Sequence, residues 1–183
     1  MRLPYRFFIL ILLFAGSVFS AQDIFFQRKV KRIDSLMEKY YSNYDQAENE
    51  INKLAYLLKT KYKEKKYIGY KVDVMLQKSI LLSLNGDHHK ALKIALDALS
   101  DAEKNKLTER IFKACWIIEI MYENGGEYAL GKKYLDKAFI TYKNHNLENL
   151  YSVYCVRMSS YYRLINKKDS AIYFAYRGVD YAK

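Results

Sequence analysis

The chain has 183 residues, of which 51% are hydrophobic and 28% charged. That is enough apolar content for one ordinary domain with a core, and too much for a disordered segment. Proline occurs once, at Pro4, and glycine seven times, which excludes a fold of short strands joined by tight turns and favours long helices. Lys and Arg outnumber Asp and Glu by 31 to 20, for a net charge of +11, and two cysteines supply neither a disulfide framework nor a four-cysteine zinc site.

Residues 1–20 read as an address. Arg2 and Arg6 make a basic start, Phe7 to Ala15 an apolar run, Gly16 and Ser17 break it, and Val18-Phe19-Ser20 before Ala21 suits signal peptidase. The uncharged stretch ends at Ala21, short of the roughly 20 residues that a spanning helix needs. The expectation is an exported chain, periplasmic or extracellular, with an uncleaved N-terminal anchor as the alternative. No cysteine follows the run to take a lipid. Without Arg2 and Arg6 the remaining chain carries +9, spread as scattered lysines, so the expected reading is a solvated basic surface that does not itself bind nucleic acid.

Beyond the leader, apolar periodicity predicts helices over 24–41, 45–63, 69–85, 88–104, 108–123, 127–144, 148–165 and 169–183. The first two form a degenerate hairpin within 21–68; three units follow at 69–106, 107–146 and 147–183. Gly86, Gly126 and Asn166, types that tolerate positive φ, recur at equal spacing. Ala91, Gly131 and Ala171 form a column of small residues at the same interval, and Ala98, Ala138 and Gly178 a second. Leu99, Phe139 and Val179 stand beside them, and Leu82, Tyr122 and Tyr162 precede the turns. Helices approach closely only where side chains are small, and large neighbours fill the flanks. A hairpin of this kind buries both faces only by stacking on its like.

Gly126-Glu127-Tyr128 followed by Gly131 and Ala138, and Gly86-Asp87 with Ala91 and Ala98, resemble the tetratricopeptide repeat. The resemblance covers residues 69–183, and 23–67 loosely. It implies an all-α, right-handed α-solenoid of stacked antiparallel hairpins, with a period of about 40 in place of the family's roughly 34. The family's closing proline is absent, Asn166 stands where the family has glycine, and Glu119 breaks a column that holds Ser79 and Ser159. The resemblance further implies that the first helix of each hairpin lines a concave groove for a protein or peptide. Asp73, Lys113, Trp116, Glu123 and Arg163 are the groove candidates; tryptophan and arginine dominate binding hot spots.

No enzyme signature is present: no phosphate loop, no nucleophile elbow, no His-Glu-x-x-His. Cys115 and Cys155 occupy one repeat column on successive equivalent helices, beyond the ~7 Å reach of a disulfide, and read as small core side chains. His88, His89 and His145 lack ligand spacing, and Asp87 reads as a helix N-cap. The expected function is a non-enzymatic interaction module without cofactor or metal. The alternative is the extracytoplasmic sensor region of a membrane-bound helix-turn-helix regulator or kinase, close to a membrane. The final hairpin carries an apolar face that invites self-association.

Overall fold

The computed structural model describes residues 5–38, 40–145, 147 and 150–182, with side chains from residue 21 onward apart from 40–42. Among the described residues the chain is all-helical, with no strand. The helices are α1 (Tyr5–Glu38), α2 (Tyr40–Thr60), α3 (Ile68–Leu84), α4 (His88–Lys104), α5 (Thr108–Asn124), α6 (Tyr128–His145), α7 (Tyr151–Leu164) and α8 (Lys168–Asp180). A short 3-10 turn, Lys65–Tyr67, leads into α3. The expected break between the first two helices is found at Asn43, whose φ of −130° and ψ of 15° interrupt α2. The leader reading rests on residues 1–20, whose side chains lie outside the described set; the α1 backbone is helical from Tyr5 through Glu38. Among the described residues no helix is long and apolar enough to cross a membrane.

α2 ends at Thr60, earlier than the sequence suggests. Lysine and tyrosine both tolerate a helix, so propensity supplies no stop there. Packing supplies it: the chain turns so that Tyr62, Tyr67 and Tyr70 close around the buried Phe26 ring, with centroids 5.0, 5.3 and 5.0 Å away. These rings belong to an N-terminal core with Ile33, Ile51 and Leu54. A larger core runs from α3 to α7, through Val72, Phe112, Ile118, Leu135 and Cys155. Helix α3 serves both cores, offering Val74 and Leu81 to the first, and Val72 and Leu76 to the second.

The main contacts pair α3 with α4, α5 with α6 and α7 with α8, and α3, α5 and α7 also touch in succession. The three connecting turns share one geometry. Gly86, Gly126 and Asn166 have φ of 87°, 77° and 58°. The next amide donates to a carbonyl five residues back: Asp87 to Leu82 at 2.9 Å, Glu127 to Tyr122 at 2.8 Å and Lys167 to Tyr162 at 2.9 Å. This is the Schellman closure, which satisfies carbonyls that a helix end would orphan. Asp87 holds the position before α4 without capping it through its side chain; its carboxylate accepts from Lys90 Nζ at 2.6 Å instead.

Beyond each turn the helices meet at the small residues. Ala91, Ala98, Gly131, Ala138 and Gly178 are buried, and Ala171 is half-buried. Ser79 Oγ donates to the Ala91 carbonyl at 3.0 Å, and Ser159 Oγ to the Ala171 carbonyl at 2.8 Å. Tyr122 stacks on Tyr134 at 5.7 Å, and in the following hairpin Tyr162 stacks on Phe174 at 5.5 Å. In the middle hairpin the serine is replaced by Glu119 and the facing alanine by Gly131. A Cβ on Gly131 would sit 3.3 Å from the Glu119 carbonyl oxygen and 3.6 Å from its Cγ, so the larger side chain and the missing methyl compensate. Gly131→Leu should cost roughly 1–3 kcal/mol by overpacking this crossing, read as a lowered midpoint in urea; an unchanged midpoint would place the contact elsewhere.

Candidate functional site

The first helices of successive hairpins are tied by polar pins. Gln77 on α3 donates through Nε2 to the Val30 carbonyl at 3.1 Å and to Asp34 Oδ1 at 2.8 Å, both on α1. Arg110 on α5 reaches back to α3, donating to the Gly69 carbonyl at 2.8 Å and to Asp73 at 2.7 Å. Arg157 on α7 donates from Nε and Nη2 to both oxygens of Glu119 on α5, at 2.7 and 3.1 Å, and also from Nη2 to Glu123. One guanidinium thus serves two carboxylates, one of them 2% exposed. Burial pushes the Glu119 carboxyl up to about 7, against the opposing hydrogen bond and charge of Arg157 and with a further upward push from Glu123. Asp73 is also raised by burial, with Arg110 pulling the other way.

These pins account for two of the expected groove residues, since Asp73 and Glu123 are spent on partners within the chain. Lys113 pairs with Glu109 one turn away at 3.0 Å, an exposed contact worth little. Arg163 is exposed near the end of α7, as Glu123 stands near the end of α5. Trp116 alone among the five lines an open groove of about 500 Å³, which also takes in Ile120 of α5, Val153, Val156 and Arg157 of α7, and Val179 of α8. Its indole Nε1 is shielded from solvent with no hydrogen-bond partner. Val179 is expected from the sequence to pack beside Gly178 and is instead exposed, as is Val156, whereas Leu99 and Leu76 at the corresponding positions two hairpins earlier are buried.

What covers those counterparts is a helix. On α4, Ala95, Ala98, Leu99 and Ala102 are buried, with α5 packed alongside. On α6, Leu135 and Ala138 are buried, and Phe139 and Tyr142 stack on Tyr154 and Tyr151 of α7 at 4.8 and 4.9 Å. The same positions are Ala175, Gly178 and Val179 on α8 and Ala182 in the turn just after it. Gly178 is closed by α7, where a Cβ would lie 3.3 Å from Cys155 Cβ. Val179 is 59% exposed and Val156 beside it 57%.

Other chemistry is sparse. Cys115 and Cys155 are free and buried, and burial pushes the Cys115 thiol up to about 12, which disfavours the reactive thiolate. Among the described residues no three His, Cys, Asp or Glu side chains are placed to hold a metal. His88 lies on the surface with Nδ1 3.4 Å from Ser83 Oγ. A second groove of about 500 Å³ lies where α2 meets α3; Leu58, Val74 and Met75 line it with Lys59, Lys63 and Lys71. Lys71 is engaged with Asp101 at 2.8 Å. Compared with known proteins, the chain matches no family model, no curated protein and no solved structure.

Proposed function

We propose that this chain is an exported, non-enzymatic binding module, a right-handed stack of tetratricopeptide-like hairpins that takes a segment of a partner protein in the groove beside Trp116 and Val156. The observation that carries the reading is that groove: an apolar trough spanning three helices, built on a frame held by turns, small contacts and ring stacks that recur from one hairpin to the next. Partly buried polar pins hold α3, α5 and α7 in fixed relation, so a ligand would meet a preformed surface and bind without a large ordering cost. Tryptophan and arginine are side-chain types that concentrate binding energy, and Trp116 and Arg157 both line the groove. The leader motif at residues 1–20 supports export.

A random-peptide display selection against residues 21–183 tests the reading. It should enrich peptides whose binding falls at least about tenfold with Val156→Asp, a surface change that leaves the helical circular dichroism intact. No enrichment, or enrichment indifferent to Val156→Asp, would overturn it.

A further inference from the structure

We propose that the groove between α7 and α8 receives an amphipathic α-helix from a partner protein, apolar along the stripe that meets Val156 and Val179 and bearing a carboxylate opposite Arg163. This rests on the groove reading above and adds the conformation and the charge of the occupant.

The conformation follows from two precedents inside the molecule. The α4 surface receives α5, and the α6 surface receives α7. The α8 surface has the same positions at the same interval along the chain, and among the described residues no helix covers it. Its side chains match α4 more closely than α6: alanine stands at 175 and 182 as at 95 and 102, where α6 has Leu135 and Tyr142. A low surface of this kind admits a helix axis closely and leaves the bulk to the incoming side chains. α5, which packs on α4, brings Ile111, Phe112 and Ile118 to the shared core. The groove also reaches Trp116 and Ile120, so a helix lying in it would continue the α5–α7 interface.

The charge follows from the pins. Arg157 of α7 finds Glu119 and Glu123 on α5. One repeat on, those two acceptor positions are Ser159 and Arg163. Ser159 Oγ is already spent on the Ala171 carbonyl. The polarity of the contact is therefore inverted on α7. A helix carrying arginine where α7 carries Arg157 would be repelled, and one carrying a carboxylate there would be paired. The outer flank of α8 argues for a protein as the source of the helix. Ile172, Tyr173 and Tyr176 are exposed there, where α6 has Lys132, Lys133 and Asp136. The uncovered apolar surface thus runs past the groove, wide enough for more than an isolated helix.

Two synthetic peptides test this. Both have the sequence of residues 106–126, the segment that covers α4; one carries Ile117→Glu and the other Ile117→Arg, at the position equivalent to Arg157. Binding to residues 21–183 is read by fluorescence anisotropy. The glutamate peptide should bind at least about tenfold tighter than the arginine peptide. Arg163→Glu in the protein should reverse that order, and Val156→Asp should weaken both. Equal affinity of the two peptides for both proteins would overturn the proposal. So would failure of both peptides while the display selection yields proline-rich, extended ligands that depend on Val156; in that case the groove reading survives alone. A chain that self-associates and becomes monomeric with Val156→Asp would also overturn it, since a second copy would then fill the groove.

Discussion

Arg157→Ala should be among the most damaging single substitutions in the protein, costing about 3–5 kcal/mol at pH 8. Arg157 is 15% exposed and is the cation that both Glu119 and Glu123 hold. Removing it leaves Glu119 almost fully buried and without its partner, so at pH 8 the carboxyl must either stay charged and desolvated or take up a proton, and that cost outweighs the lost attraction. The penalty should shrink at pH 5, where Glu119 takes a proton. Lys132→Ala is the matching control. It deletes an i,i+4 pair with Asp136, an exposed carboxylate, and should cost less than about 0.5 kcal/mol. Urea denaturation of the three proteins at both pH values separates these cases. Equal losses for Arg157→Ala at pH 5 and pH 8 would contradict a charge origin.

The wild-type protein should lose stability as pH rises from about 4.5 to about 7. Glu119 is held at about 7 in the fold, above its ordinary value of 4.5. The folded state therefore binds this proton more tightly than the unfolded chain does. Its stabilising contribution is complete below the unfolded value and is lost as pH climbs through the folded one. At about 1.4 kcal/mol per pH unit, the upper bound on the change is roughly 3 kcal/mol. Glu119→Gln should flatten this part of the profile, leaving Arg157 with Glu123. Asp73, raised by burial beside Arg110, contributes a slope of the same sign at lower pH. A Glu119→Gln profile parallel to wild type between pH 5 and pH 7 would contradict the assignment.

The hairpin frame was legible because its constraints fall on single residue types. Within the three hairpins the positive φ falls on glycine or asparagine, although Lys106 takes it between α4 and α5, and a close crossing asks for glycine, alanine or serine, so Gly86, Gly126, Ala91 and Ala98 could be read off one at a time. The misfit of Glu119 was visible for the same reason, but its partner was not. The column of Arg157 also holds Gln77 and Ile117, and no pattern of size or polarity links them. That pairing needs two helices placed in space. The end of α2 was hidden likewise, since it is set by ring contacts between Phe26 and tyrosines far along the chain. In the groove, Trp116 was legible as a residue type. Asp73 and Glu123 looked equally available until each was found holding an arginine. Val179 reads from the sequence as a packing residue beside Gly178, and only its exposure separates it from Leu99; Val156 belongs to no column the sequence singles out, and its exposure separates it from Leu76.

Whether the hairpins are interchangeable modules can be measured by inserting a second copy of residues 107–146 directly after Asn146. The first copy should carry Glu119→Ser, because the helix that follows it then presents Ile117 in place of Arg157, and Ser79 and Ile117 hold those two positions in the preceding pair of helices. An account built on stacked, repeating hairpins predicts unchanged mean residue ellipticity and one cooperative transition at or above the wild-type melting temperature. A longer chain that loses ellipticity, melts in two steps or aggregates would contradict it.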